Sequence, residues 1–272
     1  MTMEHKEEME EQNKRITLTL DHIRYKVAVM SGKGGVGKTS VTVNLAAAFA
    51  AKGLRVGVLD ADIHGPNVPK MLGVQGRRAT SGPPGIFPVV SKGGILSMST
   101  SFLLGEDDAP IIWRGPLKMG VLRQFLSDVA WGELDILLVD LPPGTGDEPL
   151  TVMQTIPLDG VVIVSTPQDV ALLDSRKTIN MARQIDVPVL GLVENMAGFV
   201  CPNCLTESHI FGEGGVARTA ERYGIDHLGS IPLSLEMRTA GDAGNPIVTE
   251  DLDAPASRHV MRIADAIRRK LT

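Results

Sequence analysis

The chain has 272 residues, of which 43% are hydrophobic and 22% charged, a globular balance that excludes a disordered or collagen-like polymer. A net charge of −5 argues against a nucleic-acid binder, and no apolar run approaches the roughly 20 residues of a membrane span. The Glu-rich start lacks the apolar core of a signal peptide, so a cytoplasmic location is expected, and two cysteines make no disulfide framework.

Residues 1–24, with Glu4, Glu7, Glu8, Glu10 and Glu11, read as a charged tail or solvated helix. From Tyr25 the pattern changes, and residues 25–272 read as one domain. Val27-Ala28-Val29-Met30 is a short apolar run ending in a Gly-rich turn, as expected of a buried parallel strand. A helix is predicted over 39–52, stopped by Gly53, and a strand over 55–60 completes a βαβ unit. Residues 75–94 are rich in Gly and Pro and read as irregular surface structure. Further strands are predicted at 135–140, 160–165, 187–193 and 227–231, and helices at 117–130, 170–184, 214–223 and 256–270. Such alternation implies a single α/β domain with a mainly parallel, twisted sheet and helices on both faces.

The turn after the first strand reads Gly32-Lys33-Gly34-Gly35-Val36-Gly37-Lys38-Thr39-Ser40 and fits G-x-x-x-x-G-K-[ST], with a strand before it and a helix after it. Glycines let backbone N–H groups approach phosphates, and the helix N-terminus adds its positive end. Lys38 is expected on the β- and γ-phosphates of ATP, and the Thr39 hydroxyl on Mg²⁺. Lys33 is a second loop lysine, expected to reach the nucleotide of a partner protomer as an arginine finger would. Asp60, Asp62 and Asp140 end strands, where open α/β sheets bind ligands. Asp60 and Asp140 are candidate Mg²⁺ ligands, and Asp62 is expected to orient the attacking water. Asn195, also at a strand end, is a candidate contact to the purine edge.

The two cysteines form Cys201-Pro202-Asn203-Cys204. Fe–S clusters and structural Zn²⁺ commonly take four ligands, and one chain offers two thiolates. A two-fold dimer would complete a four-thiolate site. A thioredoxin-like redox pair and a simple buried thiol pair are the competing readings; redox pairs normally open a helix, and the flanks here do not look like one.

With these blocks in place, the sequence resembles the Mrp/ApbC-type iron–sulfur carrier ATPases, within the MinD/ParA-like class of deviant P-loop proteins. The resemblance rests on residues 31–40, on LDADIHGPNVP at 59–69, on LVDLPPGTGDEPL at 138–150, on STPQ at 165–168, on ENMAGFVCPNC at 194–204, on FGEGG at 211–215 and on GSIP at 229–232. It implies a homodimer, a bridging [4Fe–4S] cluster on Cys201 and Cys204 of both chains, transfer to apoproteins, and slow ATP hydrolysis. It also implies the signature role for Lys33 and the base-contacting role for Asn195. Residues 1–24 hold no cysteine, so no second cluster is expected there. The alternative is a MinD- or ParA-like positioning switch, which would use the basic amphipathic segment Ser257 to Lys270 on a membrane or DNA.

Overall fold

The computed structural model describes residues 3–103 and 115–272. The chain opens with helix α1 (Met3–Asp21), strand β1 (Ile23–Met30), α2 (Lys38–Ala51), β2 (Val56–Asp60) and the short α3 (Val68–Met71). Four short strands follow: β3 (Thr80–Gly82), β4 (Gly85–Phe87), β5 (Val89–Val90) and β6 (Leu96–Met98). The middle of the chain contains α4 (Gly115–Ser127), β7 (Leu134–Asp140), α5 (Asp147–Thr155), β8 (Gly160–Ser165), α6 (Asp169–Gln184) and β9 (Val189–Asn195). A hairpin of β10 (Phe199–Val200) and β11 (Glu207–Ser208) precedes α7 (Gly215–Tyr223) and β12 (His227–Ile231). Helices α8 (Leu235–Asp242), α9 (Ile247–Glu250) and α10 (Pro255–Leu271) complete the fold.

Eight strands form the central sheet in the order β12-β9-β8-β1-β7-β2-β6-β5, parallel throughout except where β5 meets β6. The apolar runs explain this. β2 and β8 are buried at every position, as strands covered on both faces must be. Helix α2 is also buried nearly all round, packed between the sheet and α9 and α10. Helices α6 and α7 pack together against β8, β9 and β12, while α1 packs on α4 and β1.

Two segments differ from the sequence reading. Residues 75–94, expected to be irregular, contain the β3–β4 hairpin and β5, which extends the sheet through β6. Strands of two or three residues are too short to show an alternating pattern between Gly and Pro. The acidic N-terminal segment is helical. Glu7, Glu8, Glu10 and Glu11 are exposed, but Ile16 and Leu20, four apart on one face, are buried in the core. The apolar positions of α10, Val260, Ile263, Ala264 and Ile267, are also buried, against β12 and α2. Its apolar face is therefore taken up by the core, which leaves the positioning-switch reading without its membrane contact. No helix among the described residues is long and apolar enough to cross a membrane.

Candidate functional site

Parallel register brings the carboxyl ends of the central strands to one rim. Asp140 lies beside Val29 on one side and Asp60 on the other, and Ser165 pairs with Glu194. The connection from β1 runs past β7 to β2, whereas the connection from β7 runs back past β1 to β8, so these two neighbouring strands send their chains in opposite directions and open a crevice at their carboxyl ends. The loop 31–37 fills that crevice and α2 begins at Lys38. Gly35 and Gly37 have φ of +81° and +83°, a region glycine reaches without Cβ strain. A Cβ on Gly37 would sit 2.2 Å from Asn195 Nδ2, and one on Gly32 would sit 2.3 Å from the Asp174 carbonyl carbon on α6. The loop is thus clamped between β9 and α6, and only glycine fits at the two contacts.

Asp140 is the centre of the site. It is fully buried, and Lys38 Nζ lies 2.7 Å from its Oδ2. The Thr39 hydroxyl donates to the same oxygen at 2.7 Å, and the Thr42 hydroxyl donates to Oδ1 at 2.6 Å. Thr42 was missed in the sequence, although it lies one helical turn beyond Lys38 and therefore on the same face of α2. A hydroxyl and a carboxylate placed side by side are the hard oxygen donors Mg²⁺ prefers, so these residues fit that ion.

Asp60 and Asp62 play different structural parts. Asp60 is 1% exposed and accepts from the Asp62 amide at 3.2 Å, the Val68 amide at 3.3 Å and the Ser99 hydroxyl at 3.3 Å. It organises the loop between β2 and α3. Burial holds its carboxyl well above the ordinary range, Asp140 adds to the rise, and Lys38 opposes it. Ser99 was hidden from the sequence reading because it follows β6, a strand not foreseen. Asp62 is half-buried and faces the cavity, and its Oδ1 accepts from the Gly65 amide at 3.4 Å. Burial raises its pKa as well, against the pull of Lys38. His64 Nε2 lies 3.5 Å from Glu148 Oε1, joining this loop to the start of α5. The loop after β7 is tied back by the Gly144 amide, which donates to Ser31 O at 2.8 Å.

A cavity of about 700 Å³ runs from the loop (Gly34, Gly35, Gly37, Lys38, Thr39 and Ser40) toward apolar walls from Met71, Phe199, Leu233 and Met237. That is ample for a nucleotide. Asn195 lines it, and its Nδ2 donates to Val36 O at 2.9 Å, so the amide braces the loop at the same time. Lys33 lies on the rim outside the cavity wall, half-exposed, and its ammonium makes no hydrogen bond or ion pair among the described residues.

The cysteines occupy the turn of the β10–β11 hairpin. The Cys201 amide donates to Thr206 O at 3.0 Å, and the Leu205 amide donates to Cys201 O at 2.8 Å, with Leu205 at φ +61°. Cys204 is exposed, with its Sγ 3.4 Å from Thr206 Oγ1. The Thr206 hydroxyl can turn to donate to a thiolate, and this contact above all holds the Cys204 thiol below its usual pKa. Its place two residues after Cys204 could have flagged Thr206 from sequence. His209 is tied back to Ala197 O at 3.2 Å. Among the described residues, no group of three or more His, Cys, Asp or Glu side chains is placed to hold a metal ion. The hairpin is joined to the cavity wall, since the Leu233 amide donates to Gly198 O at 2.7 Å and the Ala197 amide to Ile231 O at 3.0 Å.

A ParA-group family model described as NUBPL iron-transfer P-loop NTPase matches residues 22–268. The chain is 53% identical over 262 residues to an iron–sulfur cluster carrier protein of Methanocaldococcus jannaschii, covering 96% of this chain and 90% of that one. It is 48% identical over 254 residues to the protein of the same description in Saccharolobus solfataricus, covering 93% and 86%. Among solved structures, a nucleotide-binding protein of Archaeoglobus fulgidus in complex with ADP superposes with a TM-score of 0.80 at 44% identity, covering 90% of this chain and 95% of that one. MinD of Aquifex aeolicus, at 22% identity, coverage of 90% and 97% and a TM-score of 0.65, shares the fold. The chain belongs to the iron–sulfur carrier P-loop NTPases of the ParA/NUBPL iron-transfer family.

Proposed function

We propose that this protein is an ATP-dependent carrier that binds a [4Fe–4S] cluster at a homodimer interface, passes it to apoproteins and hydrolyses ATP slowly. The observation that carries the reading is the pairing of two thiols on an exposed hairpin turn with a nucleotide cavity whose wall is the base of that hairpin. Two thiolates leave a cubane cluster half-ligated, and a second protomer supplies the other pair. The ADP held by the Archaeoglobus relative supports a nucleotide here. Loop amides from Gly32 to Thr39 would cradle the phosphates, and Lys38 would exchange Asp140 for the β- and γ-phosphates. Thr39 and Asp140 would hold Mg²⁺ with Asp60 behind them, and the ion would neutralise charge on the phosphates. Asp62 would orient a water against the γ-phosphorus. As that bond forms, the bond to the bridging oxygen breaks, releasing ADP and phosphate. The ammonium of Lys33, unpaired among the described residues, suits a contact across the dimer.

Anaerobic reconstitution with iron and sulfide tests this directly. Wild-type protein is expected to take up about four iron and four sulfide per two chains and to pass them to an apo-acceptor, as a four-thiolate site would. Cys201→Ala and Cys204→Ala are expected to take up none. Cluster incorporation that survives either substitution would overturn the assignment.

A further inference from the structure

We propose that the cleft between α6 and α7 is a binding site for one free oxyanion of sulfate or phosphate size. Asp169, Leu172 and Arg176 form a stripe on α6, and Gly215, Arg218, Thr219 and Arg222 form one on α7; together they line a cavity of about 160 Å³. Positions three and four apart fall on one face of a helix, so the two stripes oppose each other. That volume accommodates a single tetrahedral anion.

The charges are unbalanced. Three guanidinium groups face one carboxylate, in a chain whose net charge is −5. None of the three makes a salt bridge to a carboxylate among the described residues, whereas Arg55 holds Glu133 and Asp135, and Arg238 holds Asp242. The Nε of Arg176 is buried and has no hydrogen-bond partner. A buried donor left unmade is costly, and guanidinium geometry matches a tetrahedral oxyanion with two parallel hydrogen bonds. Arg218 makes one contact, to Glu213 O at 3.1 Å, which leaves its other donors free. The helix N-terminus is not what recognises the anion, because the Val216 amide is already taken by buried Glu194 at 3.0 Å. The Thr219 hydroxyl is committed to Gly215 O at 2.9 Å. Recognition therefore falls to the three arginines. A dianion there would tie α6, which touches the nucleotide loop at Gly32, to α7, which follows the thiol hairpin. The site stands on its own residues, independently of the carrier reading.

Calorimetric titration of the full chain tests it, with the nucleotide site first saturated by a non-hydrolysable ATP analogue and Mg²⁺ so that the P-loop cannot take the anion. Sulfate and inorganic phosphate are each expected to bind saturably at about one per chain, with chloride of equal ionic strength giving no saturable signal. Arg222→Gln, at an exposed position, is expected to fold normally, bind the ATP analogue unchanged and weaken sulfate at least tenfold; Arg176→Gln is expected to weaken it further. Equal titrations for wild type and Arg222→Gln, or no saturable heat beyond that of chloride, would overturn the proposal.

Discussion

At the scale of single residues, Asp140 is the hub of the site. It receives an ammonium and two hydroxyls with no exposure to solvent. Removing one partner of a buried ion pair strands the other, so Asp140→Ala is expected to cost about 3–5 kcal/mol in denaturant unfolding of nucleotide-free protein. A loss below about 1 kcal/mol would show that Lys38 and Asp140 are not paired in solution, since that is the range of surface pairs. Asp60 gives a pH test. Its folded pKa is raised by burial, so the ionised form costs stability above that value. The penalty is relieved as pH falls through the folded pKa toward the unfolded value of about 3.9. Comparing wild type with Asp60→Asn as the pH is lowered from neutral toward the unfolded value, the stability difference is expected to move in favour of wild type on acidification; a gap that stays constant all the way down would contradict the buried, raised carboxyl. Lys33→Ala is expected to leave ATP affinity unchanged while depressing steady-state hydrolysis, and an unchanged hydrolysis rate would remove its role across the dimer. Lys38, Thr39 and Asp140 were legible because motif spacing and strand ends fix them. Thr42 and Ser99 were not, because hydroxyls become informative only once the fold shows which carboxylate they face.

At the scale of elements, the β10–β11 hairpin sets the chemistry of the thiols. Its turn is held by backbone hydrogen bonds between Cys201, Leu205 and Thr206, and the Thr206 side chain meets Cys204. A thiol with a lowered pKa is thiolate at lower pH and alkylates sooner. In apo protein, the pH midpoint for alkylation of Cys204, followed by peptide mapping, is expected to rise in Thr206→Val. An unchanged midpoint would show that the hydroxyl does not stabilise the thiolate. The sequence revealed the cysteine spacing but not this hairpin, because two-residue strands carry no periodicity. The long elements were more legible. The predicted helix over 256–270 matches α10 within a residue, because its apolar positions repeat with helical spacing and all face the core. Helix α1 was less so, since its run of glutamates masks the two positions, Ile16 and Leu20, that are buried in the core.

At the scale of the whole molecule, the α/β class followed from the alternation of apolar strands and helices, but strand order did not. Nothing local in β7 says that it inserts between β1 and β2; that placement comes from the long-range pairing of Val29 and Asp60 with Asp140. The same placement builds the crevice for the nucleotide loop, so fold and site share one cause. One layer further out, the exposed hydrophobic side chains Val200 and Leu205 flank the thiols on the same hairpin. A facing copy of the chain would cover them. Whether two chains share one cluster through four cysteines can be read most directly from anaerobic native mass spectrometry of the reconstituted protein. The expected result is the mass of two chains plus one [4Fe–4S] unit, with the cluster lost when either partner carries Cys201→Ala. A cluster retained on a single chain, or on a dimer with only one intact cysteine pair, would contradict it.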